Sequence, residues 1–235
     1  MRTGIRVLVA ISIAMGAVAP AAGEEPDRAG LSDSELDARL AFLEERLDGG
    51  ETYAKVWQWG WTSGYGLGIV YGTAKAIDVD TNRRRVNHIV TAVKSTIGTT
   101  RLLLWRHPGR NGADEMRSIE GDARDAKLAR LAKGEEVLES VASRAEQRWD
   151  WKAHAGNVAL NLAGAGFIFG FGKDSDAWES LGVGIGVGTL NIFTAPKRGI
   201  QDLSDYETRF GIKTADRFDW MIVPTVGGAA LVLTF

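Results

Sequence analysis

Cysteine is absent from all 235 residues. That excludes a disulfide framework and a thiolate metal site, so stability has to come from packing. Histidine is nearly as scarce. His88, His107 and His154 lie far apart and none has a second ligand at metal spacing, so structural roles and no metal are expected. Also missing are a G-x-S-x-G elbow, a P-loop and an H-E-x-x-H pair. The stretch GYGLGIVYG has one G-x-G step but no third glycine in register and no strand before it, which is not a dinucleotide fingerprint. Acid pairs such as Asp78/Asp80 and Glu135/Glu136 sit in polar stretches and are expected to be solvated. No catalytic residue and no cofactor is expected, and the chain is not expected to be an enzyme.

A basic excess is lacking as well. The chain opens MRTGIRVLVAISIAMGAVAPAAGEE, in which Arg2 and Arg6 precede an apolar run from Val7 to Ala19 and then small residues. This is the pattern of a secretory signal peptide over residues 1–23, cleaved near Ala22 or Gly23. The apolar run is shorter than the ~20 residues of a membrane span. Without Arg2 and Arg6, the 28 Lys and Arg fall to 26 against 30 Asp and Glu, a net charge of −4. That argues against a nucleic-acid partner. The expected location is outside the cytoplasm, in the periplasm or in a membrane of a bacterial cell envelope.

Helical signals dominate the rest of the chain. Residues 24–50 hold a polar linker and then Ser32-x-x-Glu35, the spacing of a capping box. Leu36, Leu40, Leu43 and Leu47 make one apolar stripe, which predicts a helix over 32–48 ending at Gly49-Gly50. Asp78, Asp80, Thr81 and Asn82 predict a turn, and Val86, Ile89, Val90, Val93 and Ile97 predict a helix over 83–105. Pro and Gly in 106–113 break it. Residues 112–148 are charged, with a seam at Leu128, Leu131, Glu135, Leu138, Ala142, Ala145 and Trp149 that predicts a long linking helix running on into 149–172 without a break. Asp176-x-x-Glu179 predicts the cap of a further helix stopped by Pro196, and Ser204-x-x-Glu207 that of a short one stopped by Gly211. In 199–235 the last residues, FDWMIVPTVGGAALVLTF, fit two short strands joined by a turn.

The ambiguous segment is WQWGWTSGYGLGIVYG, residues 57–72. At period two it is a membrane strand; at period four it places Gly60, Gly64, Gly68 and Gly72 on one helix face. A weak internal repeat bears on the choice. Trp57-Gln58-Trp59 matches Trp149-Asp150-Trp151 at a spacing of 92 residues, and Gly64 and Gly72 match Gly156 and Gly164 at that spacing. Ile97-Gly98-Thr99 resembles Val187-Gly188-Thr189. Because the neighbouring segments are helical by period, helix is expected in both units, against the β-like alternation of LGVGIGVGT. The expected fold is therefore mainly α. Two Gly-rich helical hairpins, 51–111 and 149–198, form a bundle linked by a charged amphipathic helix, with a short C-terminal β-hairpin.

Glycine costs about 1 kcal/mol against alanine inside a helix, so the stripes imply close helix packing. The expected packing positions are Gly60, Gly64, Gly68, Gly72, Gly156, Gly164, Gly182 and Gly186. The tryptophans at the hairpin mouths would suit a membrane interface, while Lys94 and Arg101 would have to face protein or water there. Asn157 and Asn161, one turn apart, need partners if buried, with Thr99, Thr189, Asn191 or His154 within the expected reach. These residues point to a non-enzymatic, exported, structural or scaffolding envelope protein, associated with a membrane or an envelope protein partner. A second expectation is a periplasmic small-ligand or lipid-binding module using Trp57, Trp61, Trp151, Asn157 and Asn161. A third is an outer-membrane β-barrel, suggested by Leu231, Leu233 and Phe235. Oligomeric state is not legible.

Overall fold

A computed structural model describes residue 28, residues 30–212 and the backbone of 219–225 and 228–234. Two units share the chain: Asp27–Ile212, and the two ends, Met1–Pro26 with Lys213–Phe235. The expected signal peptide lies outside the described residues. In the second unit two backbone stretches, Asp219–Thr225 and Gly228–Thr234, are described. The described residues are mainly helical.

Ser32 caps the first helix as its spacing predicts, its hydroxyl accepting from the Glu35 N–H at 3.2 Å. This helix, α1, runs from Asp33 to Asp78, 46 residues without interruption. The stop expected at Gly49-Gly50 does not occur. A Cβ at Gly49 would come within 2.9 Å of the Arg198 guanidinium, so that glycine makes room for a neighbour. Packing on both sides, by Leu43 and Leu47 before it and Ala54 and Trp57 after it, outweighs the propensity cost of two glycines. The segment 57–72 is helical throughout, which removes the strand reading there. The LGVGIGVGT segment is helical too.

After the turn at 79–81, α2 spans Asn82–Leu104, and a 3-10 turn follows at Pro108–Arg110. The charged stretch is not one helix. A short helix, α3 (Gly112–Arg117), precedes a break where Gly121 takes a φ of 112°, and α4 then runs Arg124–Trp149. Nor does α4 continue into the next segment. Asp150 is extended and its carboxylate accepts from the Lys152 N–H at 2.8 Å, capping α5, Trp151–Phe171. Helix α6, Asp174–Phe193, starts before the expected Asp176 cap, and α7, Arg198–Phe210, starts before Ser204 and ends at left-handed Gly211. Asn82 and Asp174, the first residues of α2 and α6, are 92 apart (174 − 82), the spacing that separates Trp57 from Trp149.

The first part of α1 packs with α3, α4 and α7 around Leu36, Phe42, Leu43, Leu131, Leu138 and Tyr206. Glu135, expected to be solvated, is buried there. It accepts from the Tyr206 hydroxyl at 2.6 Å and pairs with Arg28 at 2.9 Å, with Arg39 at 3.9 Å. A polar residue on an apolar seam thus marks a satisfied buried carboxylate. The second part of α1 packs along α2, and α5 along α6.

Candidate functional site

Between α2, α5 and α6 a polar cluster lies beside a small apolar one formed by Val90, Ile168 and Ala177. The Lys94 ammonium donates to Asn161 Oδ1 at 3.0 Å, to Ser180 Oγ at 2.9 Å and to the Ser180 carbonyl at 3.2 Å. Asn161 Nδ2 donates in turn to Asn157 Oδ1 at 3.0 Å and to the Asn157 carbonyl at 2.9 Å. Asn157 Nδ2 donates to the Ile185 carbonyl at 3.1 Å and to Thr189 Oγ1 at 3.4 Å. A cation three acceptors deep, with no carboxylate among its hydrogen-bond partners, has its pKa pushed down by burial. Of the amide partners expected from the sequence, Thr189 is present, while Lys94 and Ser180 were not foreseen.

Glycine makes this ladder possible, at two positions above all. A Cβ at Gly184 would fall on Asn161 Oδ1, and one at Gly188 on Asn157 Oδ1. The two asparagines and the two glycines, each pair one turn apart, face each other in antiparallel order. The structure places the eight expected packing glycines on different faces. A Cβ at Gly72 would come within 2.8 Å of the Ala92 and His88 backbone; Gly68 faces Ser95 and Gly164 faces Val90 and Lys94. Around Gly60, Gly64, Gly156, Gly182 and Gly186 there is open space.

The expected ligand residues are not brought into one site. Trp57 is buried against Leu102 and Ala195. Trp61 packs on Tyr65 at 5.7 Å between ring centroids and donates to Thr194 Oγ1 at 2.9 Å. Trp61 and Tyr65 pack against the Trp57 cluster, whereas Trp151 is exposed and lies outside it. A pocket of about 370 Å³ opens beside α1 and α4, with Arg46, Tyr53, His107, Phe193 and Lys197 in its wall, and it touches none of these tryptophans. His107 is buried. Its Nδ1 accepts from the Gly109 N–H at 3.2 Å, and burial with the Arg144 and Arg148 charges pushes its pKa down to about 4.

Outside, the same bundle is apolar. Leu67 is 71 % exposed, Val70 67 %, Val183 61 % and Leu190 58 %. Trp59, Trp105 and Trp151 are exposed at the end where α1 enters, and Trp178 with Phe171 at the other. No helix among the described residues is long and apolar enough to cross a membrane. Nor do those residues hold a group of three His, Cys, Asp or Glu placed to bind a metal. Compared with known proteins, the chain matches no family model, no curated protein and no solved structure.

Proposed function

We propose that this is an exported, non-enzymatic envelope protein whose two Gly-rich helical hairpins, α1–α2 and α5–α6, dock on a membrane by their outer faces. The observation that carries this reading is the inverted distribution of polarity. Lys94, Asn157, Asn161 and Ser180 face inward while Leu67, Val70, Val183 and Leu190 face outward. Large exposed apolar side chains in such number on one bundle support a binding surface, and tryptophans at its ends suit the headgroup region. The first part of α1 together with α3, α4 and α7, carrying surface ion pairs, forms the part that stands in water and meets a partner. The C-terminal segment forms a short β-hairpin, a reading supported by the antiparallel alignment of Asp219 with Thr234 and of Thr225 with Gly228. Flotation of the purified chain with phosphatidylcholine vesicles tests the proposal, alongside alkaline carbonate washing of cell membranes. Co-flotation is the expected result. A chain that stays at the bottom of the gradient and is released by carbonate sinks the membrane reading. The second reading, a periplasmic ligand-binding module, has the 370 Å³ pocket in its favour.

A further inference from the structure

Where the hairpins meet α4, three arginines lie within electrostatic reach of one another. Arg144 and Arg148 stand one turn apart on α4, and Arg101 of α2 is near enough to act on both electrostatically. None of the three is paired with a carboxylate among the described residues. Arg148 is buried, with its guanidinium 5.0 Å from the centre of the Trp57 ring and donating to Asn191 Oδ1 at 3.0 Å. Arg144 is half-buried and Arg101 exposed, so the cluster opens to solvent.

The buried polar atoms left without a partner around Arg148 all carry hydrogen. Trp57 Nε1, His107 Nε2 and Asn191 Nδ2 have none, and each residue is more than nine-tenths buried. Because His107 Nδ1 accepts from Gly109, Nε2 bears the ring proton. The Arg148 contact fixes Asn191 Oδ1 as acceptor and leaves Nδ2 as donor. The Trp57 and His107 rings are 6.3 Å apart. Buried donors are normally satisfied, and arginines normally find a carboxylate or phosphate. Three guanidiniums and three idle N–H groups lack one thing in common, an oxyanion.

We propose that Arg101, Arg144 and Arg148, with the Trp57, His107 and Asn191 donors behind them, bind a phosphate-type oxyanion, supplied as free phosphate or by an anionic lipid headgroup. The chemistry is shared: planar guanidinium forks match two oxygens at once, and a compact anion relieves the repulsion among the three cations. The headgroup case rests on the membrane reading; the free-anion case does not.

The test uses the full chain. Thermal unfolding is followed in sodium phosphate and in sodium chloride of equal ionic strength, with phosphate affinity measured by equilibrium dialysis. Phosphate is expected to raise the midpoint beyond the effect of chloride. The double variant Arg101→Gln/Arg144→Gln is expected to weaken phosphate binding at least tenfold, and Lys127→Gln, far along α4, to leave it unchanged. Arg101→Gln alone, at an exposed position, keeps the test open if the double variant does not fold. In a second arm, flotation compares phosphatidylglycerol with phosphatidylcholine vesicles. A preference for phosphatidylglycerol that the Arg101→Gln/Arg144→Gln variant loses, while still floating with phosphatidylcholine, assigns the site to a headgroup. A phosphate effect equal to that of chloride, with variant and wild type alike on both vesicles, overturns the site yet leaves the membrane reading standing. Phosphate binding without any flotation does the reverse.

Discussion

The Asp27–Ile212 unit contains two regions built differently, with α1 running through both. Around the first part of α1, with α3, α4 and α7, leucines face inward and the surface carries ion pairs such as Lys127–Asp37 at 2.6 Å and Arg117–Glu44 at 2.7 Å. Along the second part of α1, with α2, α5 and α6, amides and an ammonium share the interior with two small apolar clusters, and many large apolar side chains face outward. The first region is stable in water by burying hydrocarbon. The second gains specificity from hydrogen bonds whose alternative is an unsatisfied buried group, and its outer surface exposes large apolar side chains. The same residue type therefore means different things on the two sides of Trp57: an exposed leucine is incidental in one region and is part of the proposed docking face in the other.

The largest expected effect strikes the inverted interior. Gly184→Val drives a side chain into the Asn161 amide and displaces the Lys94 cluster. The cost combines overpacking with lost charge-assisted bonds, about 4 kcal/mol in all. For a chain of this size that lowers the unfolding midpoint by roughly 10 °C. An unchanged midpoint by calorimetry means the Asn–Gly ladder is not what holds α5 to α6.

Next comes the ordinary core. Leu138→Ala removes a fully buried side chain between α1 and α4 and should cost about 3.5 kcal/mol, chiefly through the cavity it leaves. Urea denaturation measures it. A loss under about 1 kcal/mol would mean that this region collapses around the gap and is not tightly packed.

Acidity tests the seam between the regions. His107 is held neutral in the fold, with its pKa down at about 4, whereas in the unfolded chain it titrates near 6.5. Between those values the unfolded state binds the extra proton, so stability falls as pH falls. The contribution is complete above about pH 6.5 and gone by about pH 4, a difference of about 3 kcal/mol. Carboxylates also titrate at the lower end, so the comparison is with His107→Asn, whose amide oxygen can replace Nδ1 as acceptor for Gly109. Wild type should lose more stability than the variant over this window; parallel pH profiles rule out His107 as the source.

How much of this was legible depends on the region. In the leucine-cored part the period spoke directly: Leu36, Leu43 and Leu47 lie in the core as their spacing implied, and Ser32 caps as its box implied. The failures there came from punctuation. Gly49-Gly50 reads as a stop, but the core on either side carries the helix through, and Asp150 ends α4 with no glycine or proline to announce it. In the inverted part the period gave helices but not faces. Alternating LGVGIGVG contains two equivalent glycine stripes, and only the partner chooses between them: Asn157 and Asn161 select Gly184 and Gly188, leaving Gly182 and Gly186 in the open. The arginine cluster left no local pattern, since Arg101 and Arg148 lie on different helices and meet only in the fold.

That selection yields a smaller prediction of opposite sign. Gly182, two residues before Gly184 on the same helix, faces open space. Gly182→Ala should stabilise the chain by about 0.5–1 kcal/mol, the propensity gain with nothing to clash. A destabilised variant would place an unseen neighbour on that face.

The smallest effect on stability is the one that most sharply separates the two regions. Leu67 is 71 % exposed, so Leu67→Ser gives up little burial in water and should shift the midpoint by less than about 0.5 kcal/mol. On a bilayer the same change removes an apolar side chain from the docking face and puts a hydroxyl there, a difference worth about 1.5–3 kcal/mol of transfer. Flotation with phosphatidylcholine vesicles should therefore weaken by at least tenfold in partition coefficient while calorimetry stays flat. Lys127→Ser, in the leucine-cored region, gives up only a surface ion pair with Asp37, so it should leave flotation unchanged and cost less than about 1 kcal/mol of stability. If Leu67→Ser and Lys127→Ser behave alike on vesicles, the apolar exterior of the bundle has another use. In that case the contrast between the two regions concerns how each is held together and says nothing about where each resides.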